Sequence, residues 1–182
     1  DVVACDLHPE YYASRTAARM KDRQVIAVQH HHAHIVSCLA ENREPGPVLG
    51  LAMDGTGLGT DGRIWGGEFL LADETDFIRR GHMKHFLLPT GETAIRHPWR
   101  TAVGLFQMAY GPSWPEWVER LQLLPADFAP AMMERILDRR INSPETSSLG
   151  RLFDGVAAIL GLRREKVYFE GQAAMELEAL AR

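Results

Sequence analysis

Cysteine is scarce in this chain. Only Cys5 and Cys38 occur among 182 residues, which excludes a disulfide framework and makes a reduced, cytoplasmic setting the expectation. No apolar run approaches ~20 residues, so no helix of this sequence is expected to span a bilayer. No secretory signal pattern opens it. Positive charge is not in excess either. The net charge is −4 and the sequence pI about 6.1, which gives no general electrostatic support for a nucleic-acid or anionic-membrane partner. Internal repeats and low-complexity tracts are absent, as is a Gly-Lys-Ser/Thr phosphate loop. What is present is enough apolar material for a core: 46% of residues are hydrophobic and 24% charged. The chain opens without Met, inside the apolar run Val2-Val3-Ala4-Cys5, and closes inside a helical pattern. It is therefore expected to be a piece of a longer protein.

Hydrophobic periodicity divides the chain in two. Residues 2–5 read as a buried strand, followed after Pro9 by a helix to about Lys21. Val25–Gln29 reads as a second strand, and a helix follows to about Glu41. Val48–Met53, Ile64–Ala72 and Phe77–Phe86 read as further strands. Beyond Pro89 the pattern is helical over 93–110, 114–123, 130–139, 148–160 and 171–182, with Gly161 as a C-terminal cap. Pro112–Pro115 and Asn142–Thr146 read as hinge-like loops. The order is mixed α/β first and mostly helical afterwards.

The most concentrated chemistry is Gln29-His30-His31-His32-Ala33-His34, four of the eight histidines within five residues. On a helix at about 100° per residue, His30 and His34 fall within about 40° of each other. Ala33, Ile35, Val36, Leu39 and Ala40 form the opposite, core-facing arc, and His32 falls with them as a buried neutral imidazole. His31 sits at the edge of the outward face, with Cys38 and Glu41 nearby. An i,i+4 His pair is a known metal-ligand spacing, although it reads equally as a solvated helix face. It is not the zincin pattern, which needs Glu after the first His.

Gly57-Leu58-Gly59-Thr60-Asp61-Gly62 matches the dinucleotide fingerprint as a string. The fingerprint must open a helix, and here a strand-like run, Ile64-Trp65-Gly66-Gly67-Glu68-Phe69, follows instead. A glycine-rich hairpin turn is the plain reading. Its glycines also permit an anion-binding nest, with Asp54 at its start.

Several strings together resemble the HypF carbamoyltransferase family, maturation factors of [NiFe]-hydrogenases, over nearly the whole chain. They are Cys5-Asp6-Leu7-His8-Pro9, the His run, Met53-Asp54-Gly55-Thr56-Gly57, Leu88-Pro89-Thr90-Gly91-Glu92 with Pro98-Trp99-Arg100, Ser147–Asp154, and Glu170-Gly171-Gln172-Ala173-Ala174. The part resembled is the domain similar to Kae1/TsaD. This implies an α/β fold of the actin/Hsp70/sugar-kinase (ASKHA) type, built from ribonuclease-H-like lobes around a nucleotide cleft. Residues 1–110 would form the first lobe. Residues 111–182 would form a helical segment and the incomplete start of the second.

The resemblance implies that His30 and His34 bind a divalent metal, Zn or Fe. It implies that Met53, Asp54, Gly55, Thr56 and Gly57 hold ATP or an acyl-adenylate, with Asp154, Glu170 and Gly171 on the nucleotide side. The family's third metal ligand is an acidic residue near the far end of the domain, and no match for it precedes Arg182. The family usually shows Pro-Gly-Gly-Asp where this chain has Pro89-Thr90-Gly91-Glu92. The implied activity is carbamoyl transfer from a carbamoyl-adenylate, made from carbamoyl phosphate and ATP, to the C-terminal cysteine of HypE. A tRNA threonylcarbamoyladenosine-type transferase and a non-catalytic metal-binding or docking module are the alternatives. Half a cleft is not expected to turn over alone.

Overall fold

A computed structural model describes residues 1–182 as two compact units, 1–83 and 84–182. The boundary expected after residue 110 falls inside the second unit, at the end of a helix.

The first unit opens with strand β1 (Val2–Asp6), helix α1 (Tyr12–Ala17) and strand β2 (Gln24–Val28). β1 and β2 pair in parallel, with Val2 opposite Gln24 and Asp6 opposite Val28. A parallel pair needs a crossover connection, and α1 supplies it. The strand at 2–5 was expected to be buried, but Val2 is 60% exposed, Ala4 is exposed, and Val3 and Cys5 are half-buried. The reason is that α1 packs on β1 and only two strands make up this sheet.

Helix α2 (His30–Asn42) follows directly. The Gln29 side chain caps it by accepting from the His32 N–H. Arg43, at φ 57°, ends it in the left-handed region. Its buried residues are His31, His32, Ile35 and Leu39. Ala33 and Ala40, expected in the core, are exposed. The buried stripe is thus turned toward His31, because that ring packs against Trp65, with centroids 6.0 Å apart.

Strands β3 (Val48–Leu58), β4 (Ile64–Ala72) and β5 (Phe77–His82) form an antiparallel meander. The glycine-rich segment is shorter as a turn than the sequence suggested. β3 continues through it to Leu58, with a register shift between Met53 and Gly57. Asp54–Thr56 is therefore a bulge inside a strand, and the turn itself lies at 59–63. Bulges re-aim side chains, and this one carries Asp54. Ile35, Leu39, Ala52, Trp65, Leu70 and Ala72 form the core beneath α2.

The second unit contains the short antiparallel strands β6 (Phe86–Leu87) and β7 (Glu145–Thr146). Its helices are α3 (Glu92–Arg96), α4 (Pro98–Tyr110), α5 (Trp114–Arg120), α6 (Pro130–Asp138), α7 (Leu149–Ile159) and α8 (Gln172–Ala181). The helix expected over 93–110 is broken at His97, because Pro98 disfavours a helical residue before it. The loop expected at 112–115 is instead a 3-10 turn, Gly111–Ser113, running into α5, and β7 occupies the end of the expected loop at 142–146. Gly161 adopts φ +81° just past α7, as expected of a helix stop.

The core of this unit is built on Trp99, Val103, Phe106, Trp114, Leu123 and Met133. Helix α4 seats on β6 at Gly104, where a Cβ would lie 2.0 Å from the Leu87 carbonyl oxygen. Backbone cannot yield as a side-chain tip can, so Gly104→Ala is expected to destabilise the protein by about 3 kcal/mol. Chemical denaturation measures this, and a loss under about 0.5 kcal/mol would mean that α4 shifts freely.

Candidate metal centre

The start of α2 and the bulge of β3 bring three side chains together in the first unit. His30 Nε2, His34 Nε2 and Asp54 Oδ2 all lie within 4.8 Å of one another. His30 Nε2 is 3.0 Å from Asp54 Oδ2 and 3.2 Å from His34 Nε2. His34 Nε2 is 3.9 Å from Asp54 Oδ2. The helical repeat brings His30 and His34 together, and the β3 bulge brings Asp54. The sequence reading assigned Asp54 to a nucleotide loop and found no third donor before Arg182. The bulge sets Asp54 Oδ2 beside the two imidazoles, where it offers a third donor atom that the sequence did not point to.

Asp6 was not singled out from sequence either. It lies at the end of β1, which the parallel register sets beside the end of β2, two residues before His30. Its Oδ2 is 2.6 Å from His30 Nδ1, and its Oδ1 accepts from the His8 N–H at 2.7 Å. A carboxylate on Nδ1 makes that nitrogen the donor and leaves the Nε2 lone pair facing His34 and Asp54. A proton or a cation among these atoms offsets the repulsion between lone pairs and a carboxylate oxygen 3.0–3.9 Å apart. Two imidazole nitrogens and one carboxylate oxygen suit a Zn- or Fe-class cation.

The other histidines have different work. His32 was expected in the core, and it is buried, with Nε2 donating to the Asp73 carbonyl at 2.8 Å. His31 was expected at the edge of the outward face, yet it is completely buried. Burial lowers its imidazole to about 4, only partly opposed by the Asp54 carboxylate. It is neutral at pH 7 and lies 3.6 Å from Asp54 Oδ2 through Nε2. Gly57 makes this packing possible: a Cβ there would sit 2.5 Å from His31 Cε1 and 3.0 Å from His30 Cδ2.

Trp65 backs the His31 ring and is itself pinned. Its indole N–H donates to Asp61 at 2.8 Å, and Arg79 stacks on its face at 4.1 Å. Arg79 also binds buried Glu68 at 2.7 Å and Asp61 at 3.1 Å. A cavity of about 560 Å³ opens beside His34 and Asp54, lined by Cys38, Leu49, Leu51 and Met53 among others.

The remaining candidate residues divide between the units. Met53 is 60% exposed at the cavity rim. Gly55 N–H donates to Asp54 Oδ1 at 2.6 Å, and Thr56 follows it in the bulge. Asp154, Glu170 and Gly171 belong to the second unit. Glu170 is exposed, and Gly171, at φ +74°, caps the start of α8. In the Pro89–Glu92 loop, Thr90 takes φ +70°, a conformation that a glycine adopts without steric penalty.

Asp154 is buried in α7, 3.0 Å from Arg151. Burial pushes its carboxyl up to about 6, against the pull of Arg151. The folded form then holds this proton more tightly than the unfolded chain. The group's contribution to stability is complete below about pH 4 and is lost as pH rises through about 6. Asp154→Asn is expected to remove that downward slope from the unfolding free energy between pH 4 and 6. An unaltered slope in denaturation curves would contradict the assignment.

Comparison with known proteins identifies the family. A family model described as "Carbamoyltransferase, Kae1-like Domain, second subdomain" matches residues 50–182, and one described as "HypF Kae1-like domain" matches residues 1–41. Carbamoyltransferase HypF2 of Cupriavidus necator is 46% identical over 184 residues, covering 99% of this chain and 22% of the relative. The crystal structure of full-length HypF in the phosphate- and nucleotide-bound form superposes with a TM-score of 0.87 at 46% identity, covering 98% of this chain and 23% of that one. The T. kodakarensis HypF crystal structure gives a TM-score of 0.87 at 33% identity, covering 100% and 25%. The chain thus spans about a quarter of the length of these relatives. It belongs to the HypF family, as part of its Kae1-like α/β domain.

Proposed function

We propose that this chain supplies the metal edge of the carbamoyl-transfer cleft in a carbamoyltransferase that matures [NiFe]-hydrogenases. The observation that carries this reading is the convergence of His30 Nε2, His34 Nε2 and Asp54 Oδ2, with His30 oriented by Asp6. These three residues would hold a divalent cation, Zn or Fe. When bound, such an ion acts as a Lewis acid toward a carbamoyl or phosphate oxygen. Asp6 fixes the His30 tautomer and ring plane, so Nε2 points into the site in advance. Gly55 N–H is engaged with Asp54 Oδ1, which holds the carboxylate with Oδ2 toward the histidines.

Met53 at the cavity rim, with Gly55, Thr56 and Gly57 following on β3, would contact the substrate, carbamoyl-adenylate made from carbamoyl phosphate and ATP. Asp154, Glu170 and Gly171 are proposed for the nucleotide side. The acceptor is the C-terminal cysteine of HypE. Its thiolate attacks the carbamoyl carbon, a thiocarbamate forms, and the bond to AMP breaks. A thiolate needs no strong general base, which accords with a site built of ligands rather than a catalytic triad. The nucleotide- and phosphate-bound state of a HypF relative supports nucleotide use.

Two variants of the full-length enzyme test the assignment. The double variant His30→Ala/His34→Ala is expected to lose bound metal, measured by elemental analysis, and with it transfer to the HypE cysteine, measured by mass spectrometry. Unchanged metal content would refute the ligand pair. Asp6→Asn is expected to keep the ligands but weaken metal affinity by about 10- to 100-fold, read by competition with a chelator.

A further inference from the structure

Of four clustered histidines, two converge on the candidate metal position as ligands and one is satisfied in the core. His31 remains. It is completely buried, and its Nε2 is directed at Asp54 Oδ2 from 3.6 Å without a hydrogen-bond partner. A buried polar atom in that state calls for an explanation.

The explanation starts at Gln29. Its side-chain Oε1 accepts from the His32 N–H at 2.9 Å, as the cap of α2. That contact settles which end of the amide is oxygen. The Gln29 Nε2 then donates to the Leu58 carbonyl at 3.1 Å and reaches His31 Nδ1 at 3.1 Å. An amide nitrogen only donates, so His31 Nδ1 accepts. The neutral ring must therefore carry its proton on Nε2, the atom facing Asp54. Trp65 and the absent side chain of Gly57 hold the ring there.

We propose that His31 is a positioning residue: Gln29 fixes it as the Nε2–H tautomer, and it donates to Asp54 to hold that carboxylate toward His30 and His34. The same proton bars His31 from ligation, because Nε2 has no free lone pair while Nδ1 is engaged by Gln29. This explains why a four-histidine run yields a two-histidine site. At 3.6 Å the contact is longer than a hydrogen bond, and it closes when Asp54 is drawn onto a cation. The inference rests on reading His30, His34 and Asp54 as cation ligands.

Zn²⁺ binding by the full-length protein tests it, with Zn²⁺ alone as the probe. His31→Leu removes the donor and is expected to weaken Zn²⁺ affinity by about 10- to 100-fold. His31→Gln places an amide N–H near the same point and is expected to restore most of that loss. X-ray absorption should count two imidazoles on the ion in both the parent and His31→Gln. Unchanged affinity in His31→Leu overturns the proposal, and so does a third imidazole that disappears in His31→Gln. Should His31→Leu fail to fold, ¹⁵N NMR of histidine-labelled parent protein decides. Protonated Nε2 with bare Nδ1 supports the proposal, and the opposite tautomer overturns it. A parent protein that binds no Zn²⁺, or binds it unchanged after His30→Ala/His34→Ala, sinks the underlying ligand assignment instead.

Discussion

The close approach of α2 to β3 is the constraint on which the site depends. The two elements meet where β3 has no side chain to interpose. At Gly50 a Cβ would lie 2.4 Å from Ile35 Cδ1, and at Gly57 one would lie 2.5 Å from His31 Cε1. These gaps let Ile35 and Leu39 enter the core and set His30, His31 and His34 against the β3 bulge. A strand with larger residues there would hold the helix off by a side-chain diameter. Asp54 would then stand too far from the histidines to share a cation with them.

Orientation is added to proximity by hydrogen bonds that each specify one proton. Asp6 puts the His30 proton on Nδ1, and Gln29 puts the His31 proton on Nε2. Neighbouring rings on one helix thus present opposite characters toward Asp54, an acceptor from His30 and a donor from His31. The Glu68–Arg79–Asp61 network stands behind Trp65 and keeps that wall of the site from yielding. Buried charge is costly unless paired. Here the pairing is complete enough to serve as a rigid backing.

Legibility followed the range of the interaction. Helical phase alone separated the pair His30 and His34 from buried His32, because the repeat of one helix carries that information. The strand after Gly62 was equally local, and it excluded a dinucleotide loop. His31 was misplaced because its burial depends on Trp65, more than thirty positions on. Asp54 was read as a loop residue because a register shift inside a strand leaves no composition signal. Asp6 was invisible as a partner of His30 because only parallel pairing of β1 with β2 joins them. The family resemblance supplied the fold class, which the matches over residues 1–41 and 50–182 bear out.

The sequence by itself determined a mixed α/β chain, a helix beginning at the histidine run, and a His30–His34 face on that helix. These follow from periodicity, capping and turn chemistry acting within a few residues. The tertiary structure decided which carboxylates join that face, which histidine donates, and that Asp54–Thr56 is a bulge within β3 rather than part of the turn. Those outcomes depend on strand register and on the helix–strand distance set by Gly50 and Gly57, and both are fixed only when distant segments pack.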